Sequence, residues 1–176
     1  MPVREAMKKF DQFDDTYIVP NTERLEGIVV DVVFWMSYDW KHYLKFSEML
    51  FRAPISCGDG AVPVTSYRVI LSRVYYAAFH SAREFLQKNN LIPQKTGGEH
   101  EKVIVAFQCM NRNDNSFCTS CRKIGNQLNR LKAKRVRADY VDDYAPCERD
   151  VLKGMDDSRQ IITNLDHLEE TYYRKK

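Results

Sequence analysis

The sequence predicts an all-α protein: an up-and-down four-helix bundle with a short extra helix and an N-terminal extension. Three observations carry this. Apolar residues recur in steps of three and four over stretches longer than a strand needs. Pro and Gly gather at 53–64 and 89–98, between those stretches. No two segments alternate apolar and polar residues as a paired sheet would. The extension is assigned to residues 1–27 and the bundle to 28–176.

Residues 1–15 read as a short helix with Val3, Met7 and Phe10 on one side, and 16–26 as a connector that turns at Pro20 and Asn21. The first long helix is 28–51. Val29, Val33, Met36, Trp40, Tyr43 and Leu50 keep a four-three rhythm that only Ser47 interrupts. Val32, Phe34, Trp35, Phe46 and Phe51 widen this stripe enough to meet more than one neighbour. After a loop at 53–64 comes the stretch around which the chain is organised, 65–89, which lacks Pro and Gly and opens on Thr65 and Ser66 as N-cap candidates. Tyr67, Leu71, Val74, Ala78, Ser81 and Phe85 form one packing face. Arg73, Tyr76, His80 and Arg83 form a second face, cationic and aromatic. Charged groups rarely enter a core unpaired, so this face is expected to meet a partner, a substrate or buried counter-charges.

A second loop ends in Thr96-Gly-Gly-Glu99, a capping-box pattern opening a helix through Val103, Phe107 and Met110. Residues 111–120 are polar and read as a loop. A fourth helix at 121–137 turns Ile124, Leu128 and Leu131 inward, 139–146 is a break, and a last helix at 147–173 buries Val151, Met155, Ile162 and Leu165.

The chain has 176 residues, 44% hydrophobic and 29% charged, enough for one core without staples. A net charge of +3 names no partner. The longest apolar run, 28–40, is broken by Asp31 and Asp39, so no membrane span is predicted. Glu5, Asp11, Asp14 and Asp15 stand where an export signal would need an apolar core. Five cysteines, an odd number, read as reduced thiols, and a cytoplasmic location is expected.

Charge is concentrated locally. Arg122, Lys123, Arg130, Lys132, Lys134, Arg135 and Arg137 lie between 115 and 138 with no Asp or Glu among them. Lys123, Gln127, Arg130, Lys134 and Arg137 share one helical face. Two readings stay open: a stripe that tracks phosphates, or a solvated face with Arg135 or Arg137 paired to Asp139, Asp142 or Asp143. Arg73, Tyr76, His80 and Arg83 either line the same cleft, with His80 as its titrating group, or bond structurally to Asp139, Tyr140 or a dimer mate. His100 reads as a cap or surface residue, and His42 and His167 receive no role. Cys118-Thr-Ser-Cys121 is half of a zinc site without a second half, so no metal or other cofactor is predicted.

The run Ser72-Arg-Val-Tyr-Tyr-Ala-Ala-Phe-His-Ser-Ala-Arg83 is similar to the second-helix signature of HEPN-domain proteins. Leu131-Lys-Ala-Lys-Arg-Val-Arg-Ala-Asp-Tyr140 resembles that family's later motif, and Glu99 to Phe107 fits the helix between them. The resemblance covers residues 28–168. It implies a helical bundle that commonly forms a homodimer, works near RNA or nucleotides, and belongs to toxin–antitoxin or defence systems with a nucleotidyltransferase or defence protein as partner. Many members are metal-independent endoribonucleases that use an Arg followed four to six residues later by a His. Here Arg135 is followed five residues later by Tyr140, Arg137 six later by Asp143, and no His lies between His100 and His167. The likeness is therefore to the branch carrying Ala-Asp-Tyr. The expected function is a binding module that engages RNA, a nucleotide or a partner protein through Arg73, Tyr76, Arg83, Lys123, Arg130, Lys134 and Arg137. The alternatives are a purely structural interaction bundle and a divergent endoribonuclease. In the latter, Arg135 or Arg137 clamps phosphate and His80, Tyr140 or His100 replaces the missing His.

Overall fold

The structure, a computed structural model, describes residues 39–52, 62–91 and 98–174. Five helices and no strand occur among them: α1 (Lys41–Arg52), α2 (Val62–Lys88), α3 (Glu99–Gln108), α4 (Asn115–Tyr140) and α5 (Glu148–Tyr172). The all-α expectation is met. The elements expected at 1–15 and 16–26, the start of the first long helix at 28–38, most of the 53–64 loop, Thr96 and the boundary at 27/28 lie outside the described residues. No described helix is long and apolar enough to cross a membrane.

The chain packs around α2, which touches each of the other four helices. Ile70, Leu71, Val74, Tyr75, Ala77, Ala78, Phe79, Ala82 and Leu86 are at most 1% exposed and point to several sides of the helix. From 70 to 83 no residue is exposed. The second face is the more open one: Val69, Arg73, Tyr76, Arg83 and Gln87 are exposed or half-buried, and His80 is the buried member of the polar row. α2 also starts three residues early. Pro63 sits in its first turn, where a missing N–H costs nothing, so Thr65 and Ser66 lie inside the helix and not at its cap.

Two close approaches set the spacing. α5 rides on α2 at Gly154, where a Cβ would stand 2.9 Å from Leu71 Cδ2, and Ser158 Oγ donates to the Val74 carbonyl at 2.9 Å. α3 rides on α4 at Gly125, where a Cβ would meet Gln108 Cγ at 2.7 Å and the Gln108 backbone nitrogen at 3.0 Å.

Helix ends follow local chemistry. α1 begins after Asp39, whose carboxylate accepts the Lys41 N–H at 3.0 Å, so the expected helix 28–51 does not run unbroken through 39 and 40. Ser47, the interruption in its stripe, is buried and donates to the Tyr43 carbonyl at 2.7 Å. Phe46, assigned to the wider stripe, is instead 49% exposed. α3 is capped by Gly98 without a side-chain bond, so Glu99 is its first residue and not the third of a capping box. α4 is longer than expected at both ends. Asp114 accepts from the Ser116 and Phe117 N–H groups at 2.8 and 3.0 Å and starts the helix inside the supposed loop, burying Phe117 and Cys118. At the other end Arg68 donates to the Ala138 and Asp142 carbonyls at 2.6 and 3.1 Å, satisfying acceptors that a helix terminus leaves open. The inward residues expected on α4 and α5, from Ile124 to Leu165, are all buried.

Gly125 tests the α3–α4 approach. Ala is the better helix former by about 0.5–1 kcal/mol, but overpacking against a backbone costs about 1–3 kcal/mol. Gly125→Ala is therefore expected to lower the urea midpoint. An unchanged or raised midpoint would show that α3 can yield.

Candidate functional site

Three residues of α2 spaced four apart, Arg68, Ser72 and Tyr76, share one face. They meet the C-terminal turns of α4. Beside the Arg68 bonds already described, Ser72 Oγ donates to Asp139 Oδ2 at 3.3 Å and Arg135 Nη2 donates to the Tyr76 hydroxyl at 2.6 Å. The two segments that carry the family resemblance thus lie side by side.

Arg135 is the centre of the cluster. Its side chain is 16% exposed, its Nε stands 2.6 Å from Asp139 Oδ2, and Nη2 also donates to the Tyr140 hydroxyl at 3.2 Å. Its guanidinium carbon lies 5.2 Å from the Tyr76 ring centre and 5.1 Å from that of Tyr140. Burial by itself disfavours the Arg135 charge, but Tyr76, Asp139 and Tyr140 outweigh burial and raise its pKa. Burial is the main reason that the Tyr76 phenol is pushed above its ordinary value; Arg135 opposes this, and Asp139 and Tyr140 add to it.

A second guanidinium approaches the same ring. The Arg73 carbon lies 5.5 Å from the Tyr76 centre and 5.2 Å from that of Tyr43 on α1. Arg73 is half-buried and has no carboxylate partner among the described residues. Two cations therefore flank Tyr76, and among the described residues Asp139 is the carboxylate bonded into the cluster. Tyr140, 42% exposed, borders it. His80 is buried and stacks on Trp40 with ring centres 3.5 Å apart. His100 Nδ1 lies 2.8 Å from the Tyr75 hydroxyl and its ring packs on Phe79, so it is part of the interior contact between α2 and α3.

The structure brings together Arg73, Tyr76, His80, Arg135 and Tyr140 of the expected site residues, with His80 stacked on the Tyr76 ring at 5.9 Å between centres. It separates the others. Arg83 pairs with Glu99 at 3.4 Å. Arg137 lies over the Tyr144 ring at 4.3 Å. Arg130 and Lys134 face α5, at 3.4 Å from Asp157 and Asp150 respectively, and Gln127 is buried against Gln160. Lys123 is exposed. The Arg73 row and the α4 stripe thus do not line one cleft, because residues 130 and 134 turn toward α5 while 135 turns toward α2. The pairing expected for Arg135 with Asp139 is observed. The structural bonds expected for Arg73 and His80 fall differently: Ser72 and Arg135 take Asp139, while the two expected residues lie against Tyr43, Tyr76 and Trp40.

Arg68, Ser72, Trp40 and Tyr43 were not expected here. The four-residue spacing of 68, 72 and 76 against that of Arg135 and Asp139 was a readable signal; the roles of Trp40 and Tyr43 were not, since they sit on another helix and its approach. Cys118 and Cys121 are buried, and burial together with Cys118 pushes the Cys121 thiol up to about 12. No group of His, Cys, Asp or Glu suited to hold a metal occurs among the described residues. No protein-family model, curated protein or solved structure matches the chain.

The raised Tyr76 pKa has a testable consequence. The unfolded chain loses this proton first as pH passes its ordinary value near 10. The stability held by the neutral phenol is complete below that pH and is lost as pH climbs through the folded value. Tyr76→Phe is expected to cost about 1–2 kcal/mol at neutral pH, through the lost bond to a charged group. The gap to wild type should narrow above pH 10, as read by urea denaturation at both pH values. A gap that widens there would reverse the assignment.

Proposed function

We propose that this chain is a HEPN-like helical binding module, an up-and-down four-helix bundle acting as a homodimer in the cytoplasm, that engages RNA or a nucleotide at the Arg73–Tyr76–Arg135 cluster. Its setting is a toxin–antitoxin or defence system, where a nucleotidyltransferase or defence protein is the partner. The observation that carries the reading is the pair of guanidinium groups on the Tyr76 ring, with one carboxylate, Asp139, already committed to Arg135. Arg73 then supplies a charge for a phosphate, and Tyr140, 42% exposed at the edge of the cluster, supplies an aromatic ring.

Binding is preferred to cleavage on chemical grounds. Cleavage requires a proton-transferring group beside the clamping Arg. Arg135 bonds to phenols and to Asp139, Arg137 lies over Tyr144, and His80 and His100, which reach the Tyr76 ring at 5.9 and 6.3 Å between centres, are also packed against Trp40 and Phe79.

The test is fluorescence anisotropy with labelled single-stranded RNA at low salt in chelator. Wild type is expected to bind and leave the RNA intact. Arg73→Ala should weaken binding about tenfold or more, the size of one lost charge-assisted contact, while Arg137→Ala changes it little. Absence of binding by wild type, or full affinity in the Arg73 variant, would refute the reading. Shortened RNA would favour the endoribonuclease instead.

A further inference from the structure

A second charged surface lies where α4 faces α5. The two helices leave an open groove lined by Arg122, Lys123 and Arg130 of α4 and by Lys153 and Asp157 of α5. Four cations thus meet one carboxylate. Asp157 is only 3% exposed and forms the floor. Its Oδ1 stands 3.4 Å from Arg130 Nη2 and 4.0 Å from Lys153 Nζ. One buried oxygen therefore holds cations from both walls with a surplus of positive charge, while their side chains stay more than half exposed. Arg122 and Lys123 continue the wall as exposed residues. Between Thr119 and Arg130, the limits of the lining on α4, the groove runs about 16 Å at helical rise, too long for a single phosphate.

The lining also says what kind of polyanion fits. No apolar or aromatic residue lines the groove; the remaining positions are Thr119 and the side-chain amides of Asn126, Gln127 and Gln160. A protein partner held by acidic residues would still need aromatic or aliphatic anchors, and none lines this groove; the nearest exposed one, Leu152, faces the adjoining cleft with Glu148 and Asp156. A sugar–phosphate backbone needs none, and hydroxyls and amides beside Arg and Lys are its usual donors. Bases would find nothing to stack on, so contact here is independent of sequence.

We infer that the α4–α5 groove is a track for the phosphodiester backbone of a nucleic-acid strand, separate from the Arg73–Tyr76–Arg135 cluster on the α2 side of α4. The inference rests on the proposed RNA-binding function and gives it a second, sequence-independent contact. Arg130 and Lys153 are preset by Asp157, and Arg122 and Lys123 extend the line of charge.

The experiment is the same anisotropy measurement across a salt series, with wild type, Arg122→Gln/Lys123→Gln, Lys153→Gln and Arg73→Ala. Arg122 and Lys123 are exposed, so the double variant should keep its helical circular dichroism. It is expected to bind at least tenfold more weakly at low salt, with equal loss for unrelated RNA sequences. Its salt slope should fall by about 1.4, the value for two phosphate contacts on a single strand. Lys153→Gln, on the other wall, should lower the slope by about half as much. If wild type binds and Arg73→Ala weakens it, but both groove variants keep wild-type affinity and slope, the track is refuted while the proposed function stands. If wild type does not bind, both fall. Displacement of RNA by poly-glutamate at equal charge concentration would assign the groove to acidic peptides and overturn the inference.

Discussion

A helix with four neighbours must find a partner for each polar side chain it buries, because a buried group left unpaired costs about 1–3 kcal/mol. α2 is under that constraint, and its polar residues are distributed among its neighbours. Ser72 and Tyr76 bond to α4, Tyr75 reaches His100 of α3, Arg73 lies on Tyr43 of α1, and His80 stacks on Trp40 just before α1. Even the return contact from α5 is polar, Ser158 reaching the α2 backbone. Burial of the apolar residues drives the helices together; these bonds choose the rotation at which each sits, since a turned helix would strand them.

The same constraint divides α4. Seven cations in one run cannot all face one way on a helix that packs on three neighbours. Arg135 turns to α2 and is neutralised there by Asp139. Lys132 turns to Glu101 of α3, and Arg130 and Lys134 turn to acids on α5. The run is less positive in space than in sequence, because α3 and α5 bring acids to it. Of the run, Arg137 lies over the Tyr144 ring and Arg122 and Lys123 stand exposed along the groove where Asp157 is shared by two cations; on α2, Arg73 adds a further positive charge beside Tyr76.

Much of the fold could be read from periodicity. Ile124, Leu128, Leu131, Val151, Met155, Ile162 and Leu165 are buried as their spacing required. Helix limits were harder. Asp114 caps α4 seven residues ahead of the expected start because a single side chain can outweigh a polar composition. Pro63 proved to be a first-turn residue, although a proline next to a glycine-containing loop reads equally as part of that loop. Ser47 looked like a defect in a stripe, yet its hydroxyl bonds within its own helix and can be buried without loss.

The residues of the candidate site were also legible in kind. An arginine, two tyrosines and an aspartate at four- and five-residue spacings announce a polar contact between helices. Sequence alone determined the helical class, the inward residues of α4 and α5 and the chemistry available at 72–83 and 131–140, because these depend on intervals along one chain. Only the tertiary structure decided that Arg135 meets Tyr76 while Arg130 and Lys134 turn away, that Arg83 goes to Glu99, and that α2 is the helix all four others touch. Those outcomes depend on how helices approach and rotate against one another, and close contacts such as Gly125 on Gln108 and Gly154 on Leu71 set that geometry between residues far apart in the chain.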